Sequence, residues 1–276
     1  MRPTTARYVV AGQRAPLLTD TIILAERVHV SLVSLSNGSS IFTGCDELGR
    51  PLQGHGHAQI FCECNEGTEK GSRGEITHVT VYASNDFGSE DVQALQDLKK
   101  IWGADDLELF FRLQGIGQPE DFGGMNLGTG ESPLLTLSRK WVSRTPFVPT
   151  RHPKRTRAGV AKLDERGLQI GSPEHDLLRL LEQAGFPRPA LVERVAGTRL
   201  GGREVLWQEF VCRRSNNGQG RRAAYDRSYG FLIEFAEAVQ GPVAVGYGAH
   251  FGMGGFEAMK MNNNRWGYDM GQIAGV

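Results

Sequence analysis

Two histidines, His55 and His57, stand two residues apart in "GRPLQGHGHA", where a glycine-punctuated loop runs into an alternating segment. An imidazole with its ordinary pKa, about 6.5, serves as acid or base at neutral pH. Spacing by two in extended chain lets both rings point to one face. The pair could move protons; equally, it could cap a turn or bind an adventitious ion. A second feature is "RTPFVPTRHPKRTR", which sets Arg144, Arg151, Lys154, Arg155 and Arg157 among three prolines. Prolines favour extended chain, so the expectation is a basic strip that tracks a phosphate backbone. The plain alternative is a solvated loop. "CRRSNNGQGRR" repeats the theme with Arg213, Arg214, Arg221 and Arg222 around a second tip. A third is "GYGAHFGMGGF", Gly246 to Phe256, with five glycines beside aromatic residues. So much bare backbone predicts a loop whose N–H groups lie open to a ligand. It has neither the trailing Lys-Ser/Thr of a phosphate-binding loop nor the spacing of a dinucleotide fingerprint.

Positioning these groups falls to elements that the patterning predicts. "ARYVVAG" is a strand. Leu18, Ile22, Ala25, Leu32 and Val33 fall on one face of a helix within 17–35. "HAQIFCEC" alternates, with Ala58, Ile60, Cys62 and Cys64 opposite His57, Gln59, Phe61 and Glu63. "EITHVTVYAS" alternates as well, Val79, Val81 and Ala83 opposing His78, Thr80 and Tyr82. Centring the turn between them places His57 opposite Tyr82, with His57, Gln59, Phe61, Thr80 and Tyr82 on an open face. "SEDVQALQDLKKIWG" is a helix starting at Ser89, and "LELFFRLQGIG" is a strand. The order β-α-β-β-α-β is the ferredoxin-like arrangement.

A looser second copy follows. "KWVSRTPFVP" is extended, "SPEHDLLRLLEQAGF" is a helix capped by Ser172 with Pro173 at its first position, and "ALVERVAG" and "VLWQEFVCRR" are strands. "YGFLIEFAEAV" fits a strand or a short helix and is read as a strand, and "PVAVGYG" as a strand entering the glycine-rich segment. The fold class is therefore α+β, with two ferredoxin-like units in tandem, 1–125 and 136–276, joined near Gly123–Ser138. No residue-level repeat is evident.

Composition bounds the function. The chain has 276 residues with 31 basic and 31 acidic side chains, so bulk charge does not drive contact with nucleic acid and any contact must be local. Cys62 and Cys64, two apart, fit a strand and not a zinc site, so no metal and no cofactor are expected. No apolar run of about 18 residues and no signal-peptide core are present, which predicts a soluble cytoplasmic protein.

"GRPLQGHGHA", "ITHVTVYA", "WVSRTPFVPTRHPKR" and "GPVAVGYGAHFGMGGF" occur in that order over most of the chain. Together they resemble the CRISPR-associated RAMP superfamily, and in particular the Cas-six-like half of the Cas-five/Cas-six fusion proteins of type I-U (I-G) systems. The resemblance implies an endoribonuclease that cleaves CRISPR repeat RNA into guide RNAs without metal. The 2′-OH beside the scissile phosphate would attack it, leaving a 2′,3′-cyclic phosphate and a 5′-OH. It assigns catalysis to His55 and His57, without deciding which is acid and which base. RNA contact would come from Arg144, Arg151, Lys154, Arg155 and Arg157 and from a glycine loop holding Gly246, Gly248, His250, Gly252 and Gly254. The partners it implies are crRNA and other subunits of a type I effector complex. The chain lacks the Cas-five-like half, so another subunit would hold the guide's 5′ handle.

Two further readings stand beside this one. A non-catalytic crRNA-binding subunit would need the basic and glycine segments but not both histidines. A small-nucleotide hydrolase is raised by "HVT" at His78–Thr80, but such enzymes need two copies and the chain has one.

Overall fold

The computed structural model describes residues 1–12, 16–54, 56–64, 74–102, 108–123, 132–214 and 227–259. The first half builds a five-stranded antiparallel sheet. Its strands are β1 (Thr5–Gly12), β2 (Gln59–Cys64), β3 (Ile76–Tyr82), β4 (Lys100–Trp102) and β5 (Glu108–Gly117), in the order β2-β3-β1-β5-β4. Helices α1 (Thr21–Leu35), α2 (Ser40–Thr43) and α3 (Ser89–Asp97) interrupt them in sequence. Without the short edge strand β4, the order is that of a ferredoxin-like unit, two split β-α-β crossovers interleaved. Alternation decides the faces as expected: Ile60, Cys62, Val79 and Val81 enter the core that α1 closes with Ile22, Ala25, Val28 and Leu32. Burial pushes the Cys62 thiol up to about 12, so it is an inert packing group there.

The second half repeats the plan. Strands β6 (Leu137–Ser143), β7 (Leu191–Val195), β10 (Gly230–Gln240) and β11 (Phe256–Ala258) form a sheet of order β11-β6-β10-β7, with α4 (Pro173–Gln183) after β6. A small hairpin, β8 (Gly197–Leu200) with β9 (Arg203–Leu206), is inserted between β7 and β10. The Ser172 hydroxyl accepts from the His175 N–H at the start of α4, and Pro173 occupies the first turn, as the sequence predicts. The second helix of this unit is missing: between β10 and β11 the chain runs through the glycine-rich segment and a single 3₁₀ turn, Ala249–Phe251. "PVAVGYG" is not a strand; Ala244 makes one isolated bridge to Gly255. "VLWQEFVCRR" is a strand only to Leu206 and then turns at Trp207–Glu209. Helix α3 is capped by Gly88, whose N–H donates to the Asp91 carboxylate at 2.8 Å, one residue before the Ser89 start.

The expected open face of β2 and β3 is covered. Phe61 and Thr80 are buried, and Phe61 packs with Leu134, Leu135 and Ala244, which the connection after residue 131 and the second half bring across it. Beneath that cover Arg7 pairs with Glu63 (Nε–Oε1 3.2 Å), and Glu63 also accepts from Thr80 Oγ1 at 2.8 Å and Ser132 Oγ at 2.6 Å. Burial would raise the Glu63 pKa, but the charge and hydrogen bonds of Arg7, with the two hydroxyls, hold it below the usual value. This network ties the connecting segment to the first sheet. The register differs by two from centring the turn: Gln59, not His57, lies opposite Tyr82, and a one-residue shift in the pairing between Glu63 and Cys64 supplies part of the difference.

The proline-flanked basic strip is not extended. It bends at Thr150–Arg151, and from Lys154 the chain enters two consecutive tight hairpins, "KRTRAGVAK" (154–162) and "KLDERGLQI" (162–170), bridged at Arg155–Ala161 and Leu163–Gln169. Lys162 N donates to Lys154 O, Ile170 N to Lys162 O, and Lys154 N to Ile170 O, at 2.8–3.0 Å, closing a ring. At each tip a side chain captures the turn: Thr156 Oγ1 accepts from Val160 N, and Asp164 Oδ1 accepts from Arg166 N and Leu168 N. The loop before β2, "GCDELGRPL" (44–52), is a third copy, bridged at Cys45–Pro51, with Asp46 Oδ1 accepting from Leu48 N and Arg50 N. An eight-residue repeat is thus present in the sequence, marked by Thr/Asp and, three residues on, Gly159, Gly167 or Gly49 at positive φ.

Candidate active site and nucleic-acid interface

His57 lies just before β2, in a bend held by the hydrogen bond from Ala58 N to Ile41 O at 2.7 Å. Its imidazole sits under Gly44, the left-handed residue that ends α2. It stacks on the ring of His250 with centroids 3.7 Å apart and planes within 12°. His250 belongs to the 3₁₀ turn of the glycine-rich segment, 193 residues further along the chain (250 − 57). Its Nδ1 contacts Ala58 O at 3.1 Å. A carbonyl only accepts, so Nδ1 carries the proton and the neutral ring has its lone pair on Nε2. Two imidazoles in van der Waals contact do not both hold a proton without Coulomb repulsion, so the stacking disfavours a doubly cationic pair. An imidazole can accept a proton or donate one, and the contact sets two such groups side by side.

The glycines between these elements serve close packing. Gly246, Gly248, Gly252 and Gly254 have φ between +61° and +109°. A Cβ would strike Phe147 at Gly246, Met253 at Gly248, Ile60 O at Gly252 and Val245 O at Gly254. The segment therefore docks on β2 and the start of α1, and Gly252 and Gly254 are buried, so they do not present the open backbone expected of them. Gly246, Gly248 and His250 are half-buried and remain at the surface.

A second imidazole environment adjoins the first. His29, on α1, donates from Nε2 to Phe42 O at 2.9 Å and meets the Phe251 ring edge-on. Burial lowers its pKa, and Arg214 lowers it further. The Arg214 guanidinium lies 4.0 Å from the Phe251 ring centroid and pairs with Glu26. Among the described residues no three His, Cys, Asp or Glu side chains converge as metal ligands would.

Sequence reasoning named His57 and His250 but not their contact, which pairs residues from the two halves. His55 lies outside the described residues, as do Arg221 and Arg222. Lys154, Arg155 and Arg157 are exposed on the first hairpin, and Arg151 is exposed in the bend before it. Arg144 is not part of that surface: it is 8% exposed and donates to Thr198 Oγ1, Arg199 O and Cys64 Sγ while facing Glu257 at 3.5 Å. It binds the second sheet and the β8–β9 hairpin to the end of β2. No helix among the described residues is long and apolar enough to cross a membrane.

No family model matches the chain, and none of the curated proteins matches it. Solved structures do match. Three structures similar to this chain are Cas6 proteins. One, a CRISPR-associated protein Cas6, is 10% identical over 93% of this chain and 98% of its own, with a TM-score of 0.44. A Cas6-related protein from Pyrococcus furiosus is 12% identical over 94% and 99%, with a TM-score of 0.42. A Cas6 product complex is 14% identical over 91% and 98%, with a TM-score of 0.35.

Proposed function

We propose that the chain is a metal-independent endoribonuclease that binds CRISPR repeat RNA and cleaves it by attack of the neighbouring 2′-OH. The observation that carries this reading is the stacked pair His57–His250 where the glycine-rich segment docks on the edge of the first sheet. Attack by a 2′-OH needs a base for its proton and an acid for the departing 5′ oxygen. His250 Nε2 suits the base, and His57 the acid, with His55 as a further proton carrier in the same loop. Arg151, Lys154, Arg155 and Arg157 offer exposed cations for the phosphate backbone. The four sequence motifs that resemble the RAMP superfamily supply the substrate class. The two units divide at about 125 and 136, and the protein would remain as a subunit of a type I effector complex.

A second reading is a non-catalytic crRNA-binding subunit. The observation that favours it is that both rings are wedged by protein, His57 beneath Gly44 and His250 against Ala58 O. End-labelled repeat RNA incubated with the protein in EDTA separates the two. The expected result is cleavage with a 2′,3′-cyclic phosphate end, slowed about 10²–10⁴-fold in His57→Ala and in His250→Ala with RNA affinity nearly unchanged. Uncleaved RNA in EDTA that is cut on adding magnesium refutes the metal-free mechanism. Native rates in both variants, and in His55→Ala, refute the histidine chemistry.

A further inference from the structure

The face of the first sheet turned away from its helices is covered over β2, β3 and the start of β1, where Thr5 and Arg7 are buried. Over β5 and β4 it is open, and two large aromatic residues lie on it. Trp102 is 63% exposed and Phe110 49%. The register pairs Lys100 with Phe110 and Trp102 with Glu108, while Ile101 and Leu109 enter the core. Residues directly opposite in an antiparallel pair share a face, so Lys100, Trp102, Glu108 and Phe110 all stand on the outer one. Arg112, two residues beyond Phe110, is exposed on the same side. Lys100 Nζ lies 3.8 Å from the Trp102 ring centroid and 5.5 Å from that of Phe110, and it pairs with Glu108. Arg27 on α1 donates to Trp102 O at 2.6 Å and anchors the strand end beneath.

A protein-docking patch excludes charge from its centre. Here a cation lies between the two rings and a second stands beside them. Aromatic faces interleaved with cations suit unpaired bases on a phosphate backbone, whereas a duplex hides its base faces. We propose that Lys100, Trp102, Phe110 and Arg112 form a platform on which unpaired bases of an RNA strand stack. It lies at the β4 edge of the sheet, away from His57 at the β2 edge. Four strand spacings of about 4.8 Å separate the two, roughly 19 Å. The proposal rests on the chain being an RNA binder but not on its cleaving RNA.

The test is a fluorescence-anisotropy titration of a labelled oligouridylate, which cannot pair with itself, at fixed salt. Trp102→Ala and Phe110→Ala should each weaken binding by about 5- to 150-fold, the effect of losing one stacked base. Trp102→Phe should restore most of it, and His57→Ala should bind as the wild type does. Both side chains are solvent-exposed, so the variants should melt as the wild type does, which circular dichroism checks. The proposal falls if the wild type does not bind oligouridylate, or if the alanine variants bind within twofold of it. It also falls if sedimentation shows a wild-type dimer that Trp102→Ala dissociates, since the patch would then join copies of the chain. Lost cleavage in His57→Ala with unaltered oligouridylate binding in Trp102→Ala removes the platform and leaves the nuclease reading. Weakened oligouridylate binding in Trp102→Ala with native cleavage in His57→Ala does the reverse.

Discussion

Gly44 and Gly49 lie in one hairpin and have nearly the same backbone, φ +66° and +72°. Their surroundings differ. A Cβ on Gly44 would stand 2.9 Å from His57 Cδ2 and 3.1 Å from Nε2, whereas a Cβ on Gly49 meets nothing within 4 Å. Alanine at either site must hold a left-handed conformation that costs about 1–2 kcal/mol. At roughly 2–4 °C per kcal/mol for a chain of this size, both variants should melt about 2–8 °C lower. Only Gly44→Ala also displaces the imidazole. The ring must retreat about 0.5 Å to reach ordinary contact at 3.4 Å (3.4 − 2.9), which disturbs its stacking on His250. A misplacement of about 1 Å can cost 10²-fold in rate, so half of it should cost about tenfold. The assay is single-turnover cleavage of labelled repeat RNA with saturating protein, beside a melting curve for each variant. Gly44→Ala should cleave about tenfold more slowly than Gly49→Ala at equal RNA affinity and similar melting temperature. Equal cleavage rates would refute the claim that the position of His57 sets the rate.

Two other expectations separate structural from binding charges. Arg144→Ala takes a cation away from half-buried Glu257 and should destabilise the fold by about 3 kcal/mol, read by thermal melting, with the salt dependence of RNA binding unchanged. Replacing Lys154 and Arg157 together by Ala should do the opposite, leaving the melt unchanged and reducing the slope of log K against log salt by about 0.7 for each phosphate no longer neutralised. On the acid side, burial lowers the pKa of His29 and of His78, with Arg7 adding to the shift at His78 and Glu63 opposing it. The folded state then binds fewer protons than the unfolded chain. Stability should be full above about pH 6.5 and fall as the pH drops toward the folded-state values. Melting temperatures measured from about pH 7.5 down to pH 5 check this, and the His29→Gln/His78→Gln double variant should flatten the curve.

Much of the order of the elements and the sides that meet the helices were legible because each rests on neighbours in sequence, although "KIW" reads as the end of a helix and is β4, and "PVAVGYG" reads as a strand and is not one. Period-two alternation set which side of β2 and β3 meets the helices, and the Ser172-Pro173 start marked α4. "YGFLIEFAEAV" is the strand β10, as its pattern suggests. The eight-residue hairpin repeat is equally local. Its signal, Thr or Asp followed three residues later by Gly, is in the sequence, but the prolines around it point to an extended chain instead. Register was less accessible, because an irregularity between Glu63 and Cys64 alters the count from the turn, and there the alternation of β3 breaks, with Ile76 and Val79 both in the core.

Contacts between distant segments lay beyond the sequence. Alternation shows that Phe61 and Thr80 share a face, but not that Leu134 and Leu135 cover it while Trp102 and Phe110 stay open. Arg144 reads as one more cation in a basic run, and only folding places it among Cys64, Thr198 and Glu257. His57 and His250 are individually visible as histidines beside glycines. Their contact depends on the glycine-rich segment docking on β2 at distances that a Cβ would forbid. Local backbone and the two faces of each element follow from propensity and periodicity, so the chain carries them in short windows. Which of those faces meet is a matter of steric fit between residues that share no local pattern, and it emerges only when the whole chain packs.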